Sequence, residues 1–354
     1  MSGPLRVSMT GLADGAADGP LLDEDGAVLD PLVAVDLERP RPEGADAGTA
    51  GRAVRRARAS DRLLVGVLPA GGPAPALVDA LDFTLAGPGT QAGRDVIVVS
   101  DTGKALQDVH DAVTRNPRAS LVLRDVLRAT EAMPVSAALD VESYAYSTLL
   151  AGPEFARWLA ARGPRPRPPE AAEPVLSDRA GDLLHITLNR PERRNAYGRQ
   201  VRDALVDALR VAVLDDGIGR VVLDGAGPSF CAGGDLDEFG TTPDLVTAHL
   251  VRTRGGAGRL LHRLAERTEV RVHGACVGAG IELPAFAGTL VASPGATFRL
   301  PEVSMGLIPG AGGTVSVPRR VGRHRALHLA LTGAPIDAAT ALAWGLVDEI
   351  EGKG

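Results

Sequence analysis

The sequence has 354 residues, of which 45% are hydrophobic and 3% aromatic, and it contains 43 Gly and 26 Pro. This length suits two domains, or one large domain with an extension, and the composition indicates a folded chain with many turns and a core of Val, Leu and Ala. A formal charge of −6 gives no general attraction to nucleic acid, so the arginines of residues 52–58 are interpreted as a solvated helix face.

The cysteine content and the N-terminus argue against several classes of protein. Two cysteines, Cys231 and Cys276, do not support a disulfide scaffold, and neither has His or Cys neighbours at metal-ligand spacing. The N-terminus lacks the basic and apolar regions of a signal peptide, and no apolar run reaches the ~20 residues needed to span a bilayer. We therefore expect a cytoplasmic protein without a metal site, a membrane contact or a nucleic-acid partner.

The first half of the chain contains a loop-rich segment and then a small domain. Residues 1–60 are rich in Gly, Asp, Ala and Pro, with one predicted strand at 32–37. Residues 61–163 are predicted to form a small α/β and helical domain. Its predicted strands are 63–68, 83–85 and 95–100, and its predicted helices are 75–81, 103–116, 119–132 and 135–163, the last one broken near Gly152 and Pro153.

A proline-rich linker is expected at residues 164–174, because its prolines hold the backbone extended and remove hydrogen-bond donors. The remaining residues, 175–354, are interpreted as a second domain. Apolar alternation predicts a strand at 183–188, an amphipathic helix at 199–215 and a strand at 220–223. The pattern recurs near residues 270, 290 and 298, which indicates a stack of β-β-α units in an α/β fold.

Two glycine-rich stretches follow predicted strands in this second domain. They are residues 230–236 (FCAGGDL) and 274–282 (GACVGAGIE). Small side chains let backbone N–H groups approach a ligand oxygen, and two converging N–H groups make an oxyanion hole. Glu282 ends the second stretch, and Glu302 follows soon after it. This arrangement suggests thioester chemistry with a carboxylate acid and base.

Two further stretches complete a recognisable series, namely residues 188–196 (LNRPERRNA) and 306–314 (GLIPGAGGT). In order and spacing, the four stretches resemble the signatures of the crotonase, or enoyl-CoA hydratase/isomerase, superfamily over about residues 183–350. The resemblance implies a crotonase-like fold for this half and a trimer-based homo-oligomer acting in fatty acid or polyketide metabolism. It implies no cofactor other than the CoA, or acyl-carrier phosphopantetheine, that belongs to the substrate.

The resemblance also implies roles for single residues. The backbone N–H groups of Gly234 and Ala279 would bind the thioester oxygen, although the family usually has glycine at the second position. Losing one such donor costs roughly 3 kcal/mol. Glu282 would orient and deprotonate water, and Glu302 would deliver a proton to the α-carbon. Further substrate contacts are expected at Ala196, Ala232, Asp235, Trp158, Arg162 and Tyr144.

The sequence departs from the family pattern at several positions. Pro284 is expected to tilt or shorten the helix that begins near Ala279. His273 stands where Asn is common and is interpreted as a packed or hydrogen-bonded residue, and Arg299 is interpreted as an exterior charge.

The largest departure is that the sequence ends at Gly354, where family members normally continue with helices that cover the acyl pocket. Residues 104–162 resemble that missing segment. We therefore hypothesise that the N-terminal half is a degenerate crotonase-like unit whose helices provide the cover, from the same chain or a neighbour. Trp158 and Arg162 would then lie near the CoA adenine and phosphates, and Tyr144 or Tyr146 would line the acyl pocket. The alternative is that residues 135–161 form an amphipathic helix that packs only within its own domain.

Three functions remain open at this stage. The leading one is hydration or dehydration of an α,β-unsaturated acyl thioester. The second is a crotonase-fold isomerase, decarboxylase or thioester hydrolase that uses one glutamate. The third, motivated by Pro284 and by the missing terminal helices, is a non-catalytic subunit that binds a thioester. The acyl group, and the choice between CoA and a carrier protein, stay open.

Overall fold

The computed structural model describes residues 3–37, 47–68, 77–91 and 93–352. Its N-terminal half contains a five-stranded sheet in which every strand pairs in parallel with the next one along the chain. The middle strands are apolar and buried on both faces, as expected when helices cover both sides of a parallel sheet. The strands are β1 (Leu5–Ser8), β2 (Leu32–Asp36), β3 (Leu63–Leu68), β4 (Phe83–Ala86) and β5 (Val96–Val98).

Among the residues described in this half, six helices accompany the sheet, namely α1 (Met9–Ala13), α2 (Ala47–Ala59), α3 (Thr102–Arg115), α4 (Pro117–Thr130), α5 (Val135–Leu150) and α6 (Pro153–Arg162). The three predicted helical stretches after residue 102 are confirmed, including the break at Gly152 and Pro153. Pro117 and Pro153 are the first residues of their helices, where the missing N–H of proline costs nothing.

The prediction that residues 1–60 are loop outside one strand is wrong for β1 and α1. Helix α2 departs from it too, but agrees with the interpretation of the arginines at 52–58 as a solvated helix face, since Arg52, Arg55 and Arg58 are exposed on it. Only Val7 of β1 is buried, so this strand shows no apolar alternation in the sequence. Ser8 caps the N-terminus of α1, because its side chain accepts a hydrogen bond from the Gly11 N–H. The predicted helix at 75–81 lies partly outside the described residues, and its described part is a 3₁₀ turn at Val78–Ala80.

The C-terminal half has nine strands: β6 (Val175–Ala180), β7 (Leu183–Leu188), β8 (Arg220–Gly225), β9 (Thr268–Val272), β10 (Ala275–Val277), β11 (Thr289–Ala292), β12 (Thr297–Arg299), β13 (Ile336–Asp337) and β14 (Glu349–Ile350). Six of them form a sheet in the order β14-β11-β9-β8-β7-β6, and β10, β12 and β13 form a smaller one. Only β6 with β7, and β12 with β13, pair antiparallel. The sequence analysis did not predict β6, because nearly all of its residues are exposed and it has no apolar face.

Seven helices belong to this half: α7 (Arg199–Leu214), α8 (Leu245–Arg254), α9 (Gly258–Arg263), α10 (Ala279–Glu282), α11 (Gly313–Val321), α12 (Arg323–Thr332) and α13 (Ala338–Trp344). The predicted strands at 183–188 and 220–223 and the predicted helix at 199–215 are confirmed as β7, β8 and α7. The chain is thus α/β throughout, as expected. None of the helices in the described ranges has both the length and the apolarity needed to cross a bilayer.

The two halves share one hydrophobic core. Helices α3 and α4 pack on α12, α4 and α5 pack on α11, and α5 packs on α8. Buried residues of both halves, such as Val109 and Leu139 on one side and Phe298 and Val315 on the other, belong to a single cluster. The connection at residues 164–174 forms neither helix nor strand. Helices of the same chain therefore cover the C-terminal half, whereas the proposed domain boundaries and the kinship of the two halves stay predictions.

Candidate functional site

A cavity of about 270 Å³ lies where α5 of the N-terminal half meets the C-terminal half. All four residues predicted to take part in the reaction lie on its wall, namely Gly234, Ala279, Glu282 and Glu302. Leu139, Glu142 and Tyr146 of α5 also line the cavity. The site is therefore assembled from both halves of the chain.

The two glycine-rich stretches run side by side along this wall. Cys231 and Cys276 form a parallel bridge, and the Val277 N–H donates to the Cys231 carbonyl over 3.1 Å. A Cβ on Gly280 would lie 2.1 Å from that same carbonyl oxygen, so only glycine allows the approach. This contact brings Gly234 and Ala279 to one wall, while the use of their N–H groups as an oxyanion hole stays a prediction.

The turn before α10 is built around Gly278, whose φ of +50° favours glycine. A Cβ there would lie 2.4 Å from Oε1 of Glu302 and 3.6 Å from Oε1 of Glu282. The two oxygens are thus no farther apart than the sum of these distances, a spacing compatible with one water between them. As expected from Pro284, α10 has only 4 residues and continues as a 3₁₀ turn. A helix this short contributes little dipole at Ala279.

Glu282 is a buried carboxylate with backbone partners. Its side chain is 2% exposed, and its Oε2 accepts hydrogen bonds from the N–H groups of Ala311 at 2.7 Å and Gly313 at 2.9 Å. Burial raises the pKa of Glu282 to about 7, while the two N–H donors favour the ionised form and limit the rise. Glu282 is thus placed to exchange a proton near neutral pH.

Glu302 is buried with less compensation. It begins a 3₁₀ turn after β12 and is 8% exposed. Its Oε2 has no hydrogen-bond partner among the residues that the structure describes. Burial, and then the neighbouring charge of Glu282, raise the pKa of Glu302 well above its ordinary value. The protonated form of this side chain is therefore favoured.

A third buried acid, Glu142, was not predicted as a site residue. It is 2% exposed, and its Oε1 accepts from the Gly312 N–H at 2.8 Å. Its Oε2 accepts from the Thr314 N–H at 2.9 Å and from the Thr314 hydroxyl at 2.7 Å. Burial, and then the charge of Glu282, raise the pKa of Glu142 to about 8. The sequence contained one signal for this residue. Glu142 follows Leu139 by three residues and Ala138 by four, so it lies on the same buried face of α5.

Of the tentative substrate contacts, Asp235 lies on the cavity wall and Tyr144 does not. Asp235 is 3% exposed and accepts two hydrogen bonds from Arg193, at 2.7 and 3.0 Å. Tyr144 is 61% exposed, and its ring stacks on His249 with 4.1 Å between centroids. Tyr146 lines the cavity instead, because positions 142 and 146 share one helix face and position 144 points away from it.

Trp158 and Arg162 lie on α6, beside the cavity and outside its wall. The Trp158 ring packs against Phe239, which does line the cavity. Arg162 lies 5.8 Å from the centroid of that Trp ring and forms an ion pair with Asp237 at 2.8 Å. Contact with CoA remains a prediction for both residues.

Ala196 and Ala232 also lie outside the cavity wall. The Ala232 N–H donates to the Arg194 carbonyl at 2.9 Å, so the backbone at 232 is joined to the segment that contains Ala196. Substrate contact at the two alanines stays a prediction.

Two further interpretations can be compared with the structure. His273 Nε2 lies 2.9 Å from the Gly227 carbonyl oxygen, which confirms a hydrogen-bonded residue. Arg299 is exposed and bonds to the Gly333 carbonyl, as an exterior charge would. Within the described ranges, no group of three His, Cys, Asp or Glu side chains is placed to hold a metal ion.

Comparison with known proteins shows what this chain resembles. The family model described as enoyl-CoA hydratase/isomerase matches residues 178–353. The chain is 36% identical over 181 residues to a 1,2-epoxyphenylacetyl-CoA isomerase from Escherichia coli, with 50% of this chain and 69% of the relative covered. It is 36% identical over 176 residues to a 2,3-dehydroadipyl-CoA hydratase from the same organism, covering 50% of this chain and 68% of the relative.

A solved structure from Mycobacterium avium, described as a carnitinyl-CoA dehydratase, is 40% identical and covers 51% of this chain and 70% of its own, with a TM-score of 0.46. The two relatives above are named as an isomerase and a hydratase, which agrees with the enzyme class expected from the sequence.

Proposed function

The chain belongs to the enoyl-CoA hydratase/isomerase family, and we propose that it adds water to the double bond of an α,β-unsaturated acyl-CoA thioester and removes it in the reverse direction. The observation that supports this proposal is the pair of buried carboxylates Glu282 and Glu302. Their surroundings separate their proton affinities, and such a separation assigns one carboxylate as base and the other as acid.

Water addition needs a base for the water and a proton donor for the α-carbon. Glu282 ionises first, because the N–H groups of Ala311 and Gly313 stabilise its negative charge. It takes a proton from water as the water oxygen bonds to the β-carbon. Glu302, whose raised pKa favours the protonated form, delivers its proton to the α-carbon. Dehydration reverses both transfers.

The thioester oxygen gains negative charge during this reaction. We place it against the backbone N–H groups of Gly234 and Ala279, each of which contributes roughly 3 kcal/mol to stabilising that charge. The acyl chain lies below α5, against Leu139 and Tyr146. The chemistry uses side chains and backbone alone, with CoA or phosphopantetheine as part of the substrate. A trimer-based homo-oligomer belongs to the same proposal.

The test is a hydration assay on crotonyl-CoA that follows the loss of the enoyl absorbance in Glu282→Gln and Glu302→Gln variants. Each variant is expected to lose about 100-fold or more in kcat, because general acid or base catalysis contributes at least that much. A severe loss in one variant only would favour an isomerase. Tight binding of acyl-CoA thioesters without turnover of any of them would favour the non-catalytic subunit.

The pH profile provides a second test. Glu282 must be ionised to act as base, so kcat/KM is expected to fall as the pH drops below about 7. Glu302 must be protonated to act as acid, so kcat/KM is expected to fall again at a higher pH, when this raised pKa is passed. A profile that is flat through neutral pH would contradict the assignment.

A further inference from the structure

Arg252 of α8 is a half-buried cation on the cavity wall, and its partners are neutral groups of α5. Its Nε donates to the Ser143 hydroxyl at 3.1 Å, and its Nη2 donates to the Ser143 carbonyl at 3.2 Å and to the Ser147 hydroxyl. The guanidinium carbon lies 4.6 Å from the centroid of the Tyr146 ring. Helices from both halves of the chain therefore fix the position of this positive charge.

Arg252 forms no ion pair with any residue that the structure describes. Glu142 is the carboxyl whose charge acts on Arg252, but both of its oxygens accept hydrogen bonds from residues 312 and 314 at the start of α11. Burial, and then the charge of Glu282, raise the pKa of Glu142 to about 8, so its neutral form is favoured below that pH. Glu142 therefore does not neutralise the guanidinium.

An incompletely compensated cation is unfavourable in this position. Removal from water lowers the pKa of Arg252, yet arginine keeps its charge in proteins, so an anionic ligand would recover the lost solvation. The other arginines on the cavity wall are either paired with an aspartate or exposed, namely Arg202 with Asp203 at 2.7 Å, Arg259 with Asp140 at 2.7 Å, and Arg199 in solvent.

Nη1 of Arg252 is available to such a ligand, because it donates to no residue in the described part of the chain. The N–H groups of a guanidinium form a planar fork that matches the two oxygens of a carboxylate. The two serines and the Tyr146 ring hold this fork in place before a ligand arrives. Less side-chain freedom is then lost on binding.

We propose that Arg252 binds a carboxylate at the far end of the acyl chain, so that the preferred substrate is an enoyl thioester whose acyl group ends in a carboxylate. This inference rests on the proposed function for the path of the acyl chain. That path runs below α5, against Leu139 and Tyr146, and Arg252 lies over the Tyr146 ring.

The phosphates of CoA carry oxygens of the same kind and are the other source of an anion. We assign the acyl carboxylate because Arg252 is held by α5, beside the tyrosine that lines the acyl path. The residues at which CoA contact is predicted, Trp158 and Arg162, lie on α6 instead.

The experiment measures the dissociation constants of saturated acyl-CoA thioesters by isothermal titration calorimetry. Two sets of matched chain lengths are compared, one ending in a methyl group and the other in a carboxylate. At the best-fitting length, the wild type is expected to bind the carboxylate-ended thioester about tenfold more tightly, since a hydrogen bond between charged groups contributes at least that much. A wild type without this preference at any length overturns the proposal, and no variant is needed for that result.

Arg252→Gln removes the charge and is expected to abolish the preference. The matched control is Arg254→Gln on the same helix, because Arg254 pairs with Asp140 at 3.2 Å and lies outside the cavity wall, so the preference should stay. A preference that survives in Arg252→Gln overturns the proposal. Should that variant fail to fold, Ser147→Ala takes its place. It frees the guanidinium from one contact and is expected to reduce the preference about threefold, and an unchanged preference again overturns the proposal.

Free CoA distinguishes the two sources of the anion. If Arg252 binds the acyl carboxylate, Arg252→Gln leaves the affinity for free CoA unchanged. An equal loss of about tenfold for free CoA and for both sets of thioesters would place the guanidinium on a phosphate and overturn the proposal.

Saturated thioesters cannot be hydrated, so these measurements separate the inference from the proposed reaction. A protein that prefers carboxylate-ended thioesters through Arg252, yet hydrates no enoyl thioester, supports the assignment of Arg252 and refutes the reaction. A protein that hydrates crotonyl-CoA and shows no such preference supports the reaction and refutes the assignment.

Discussion

The two halves of the molecule differ in the partners that they provide for buried acidic side chains. In the N-terminal half, Asp82 is fully buried, accepts from the Leu64 N–H at 2.8 Å and pairs with Arg128 at 2.8 Å. In the C-terminal half, one oxygen of Glu302 has no hydrogen-bond partner within the described part of the chain. Burial raises the pKa of both acids, but in Asp82 the charge of Arg128 opposes the rise, whereas in Glu302 the neighbouring charge of Glu282 adds to it. The half to which we assign the reacting groups is the one that contains this incompletely paired acid.

Glu154 and Glu142 each accept hydrogen bonds from N–H groups at the start of a helix. For Glu154 that helix lies in the same half of the molecule, and for Glu142 it lies in the other half. Glu154 on α6 accepts from the N–H groups of Arg118 at 2.9 Å and Ala119 at 3.0 Å, at the start of α4 in its own half. Glu142 makes the equivalent contact with the start of α11 in the other half. The first contact stabilises the N-terminal helices. The second joins them to the cavity, so the two halves are not independent.

The largest effect should come from removing residues 1–165. Helices α4 and α5 would no longer cover α11, whose buried residues include Val315 and Val317. We expect residues 166–354 alone to aggregate or to lack activity, and co-expression with residues 1–165 as a separate chain to recover soluble, active protein. Size-exclusion chromatography and the hydration assay provide the measurements. A soluble, fully active fragment would show that the cover is dispensable.

Gly278→Ala should give the next largest effect. The new methyl would lie 2.4 Å from Oε1 of Glu302, at a φ of +50°, so the carboxyl has to move. A displacement of about 1 Å lowers kcat by about 100-fold. The matched control is Gly181→Ala, where φ is +64° and no atom lies within 4 Å, so only backbone strain of about 1 kcal/mol is expected. Steady-state kinetics and thermal unfolding of both variants would measure this, and equal activities would show that Glu302 has no fixed position.

Asp82→Asn tests the other side of the comparison. The change leaves Arg128 without its carboxylate, and breaking a buried pair costs about 3 kcal/mol of unfolding free energy. Folded protein should keep its kcat, because Asp82 lies outside the cavity wall. Urea unfolding measures the loss of unfolding free energy. Glu302→Gln is the opposite case, in which kcat is expected to fall while the unfolding free energy does not. If Asp82→Asn were as stable as the wild type, the contrast between structural and reacting acids would fail.

The sequence predicted what local patterns encode. Strands with continuous apolar residues, such as β3, and helices bounded by proline, such as α4 and α6, were found with small errors at their ends. The glycine-rich stretches indicated which segments approach each other, because close backbone contact needs glycine. Strands β1 and β6 were missed because they carry almost no buried side chains.

Glu142 was missed for a different reason. Its partners, Gly312 and Thr314, lie 170 and 172 residues away in the sequence, so no local spacing joins them. Tyr144 was predicted from the same helix, but it lies on the exposed face, whereas Glu142 lies on the buried face. The packing of α5 on α11 determines which of these positions is buried, and the sequence of neither segment alone predicts that packing.

Arg162→Ala should give the smallest effect. The guanidinium pairs with Asp237, which also pairs with Arg193 at 2.9 Å, and Arg193 in turn pairs with Asp235. These two arginines and two aspartates neutralise each other, so little positive charge remains to attract the phosphates of CoA. We expect KM for a CoA thioester to rise by no more than about threefold, and the unfolding free energy to fall by less than about 1 kcal/mol, as for other partly exposed pairs.

The pantetheine thioester of the same acyl group, which lacks the nucleotide phosphates, is the control substrate. A rise of tenfold or more in KM for the CoA thioester alone would place Arg162 on the nucleotide and show that α6 binds substrate as well as packing beside the cavity.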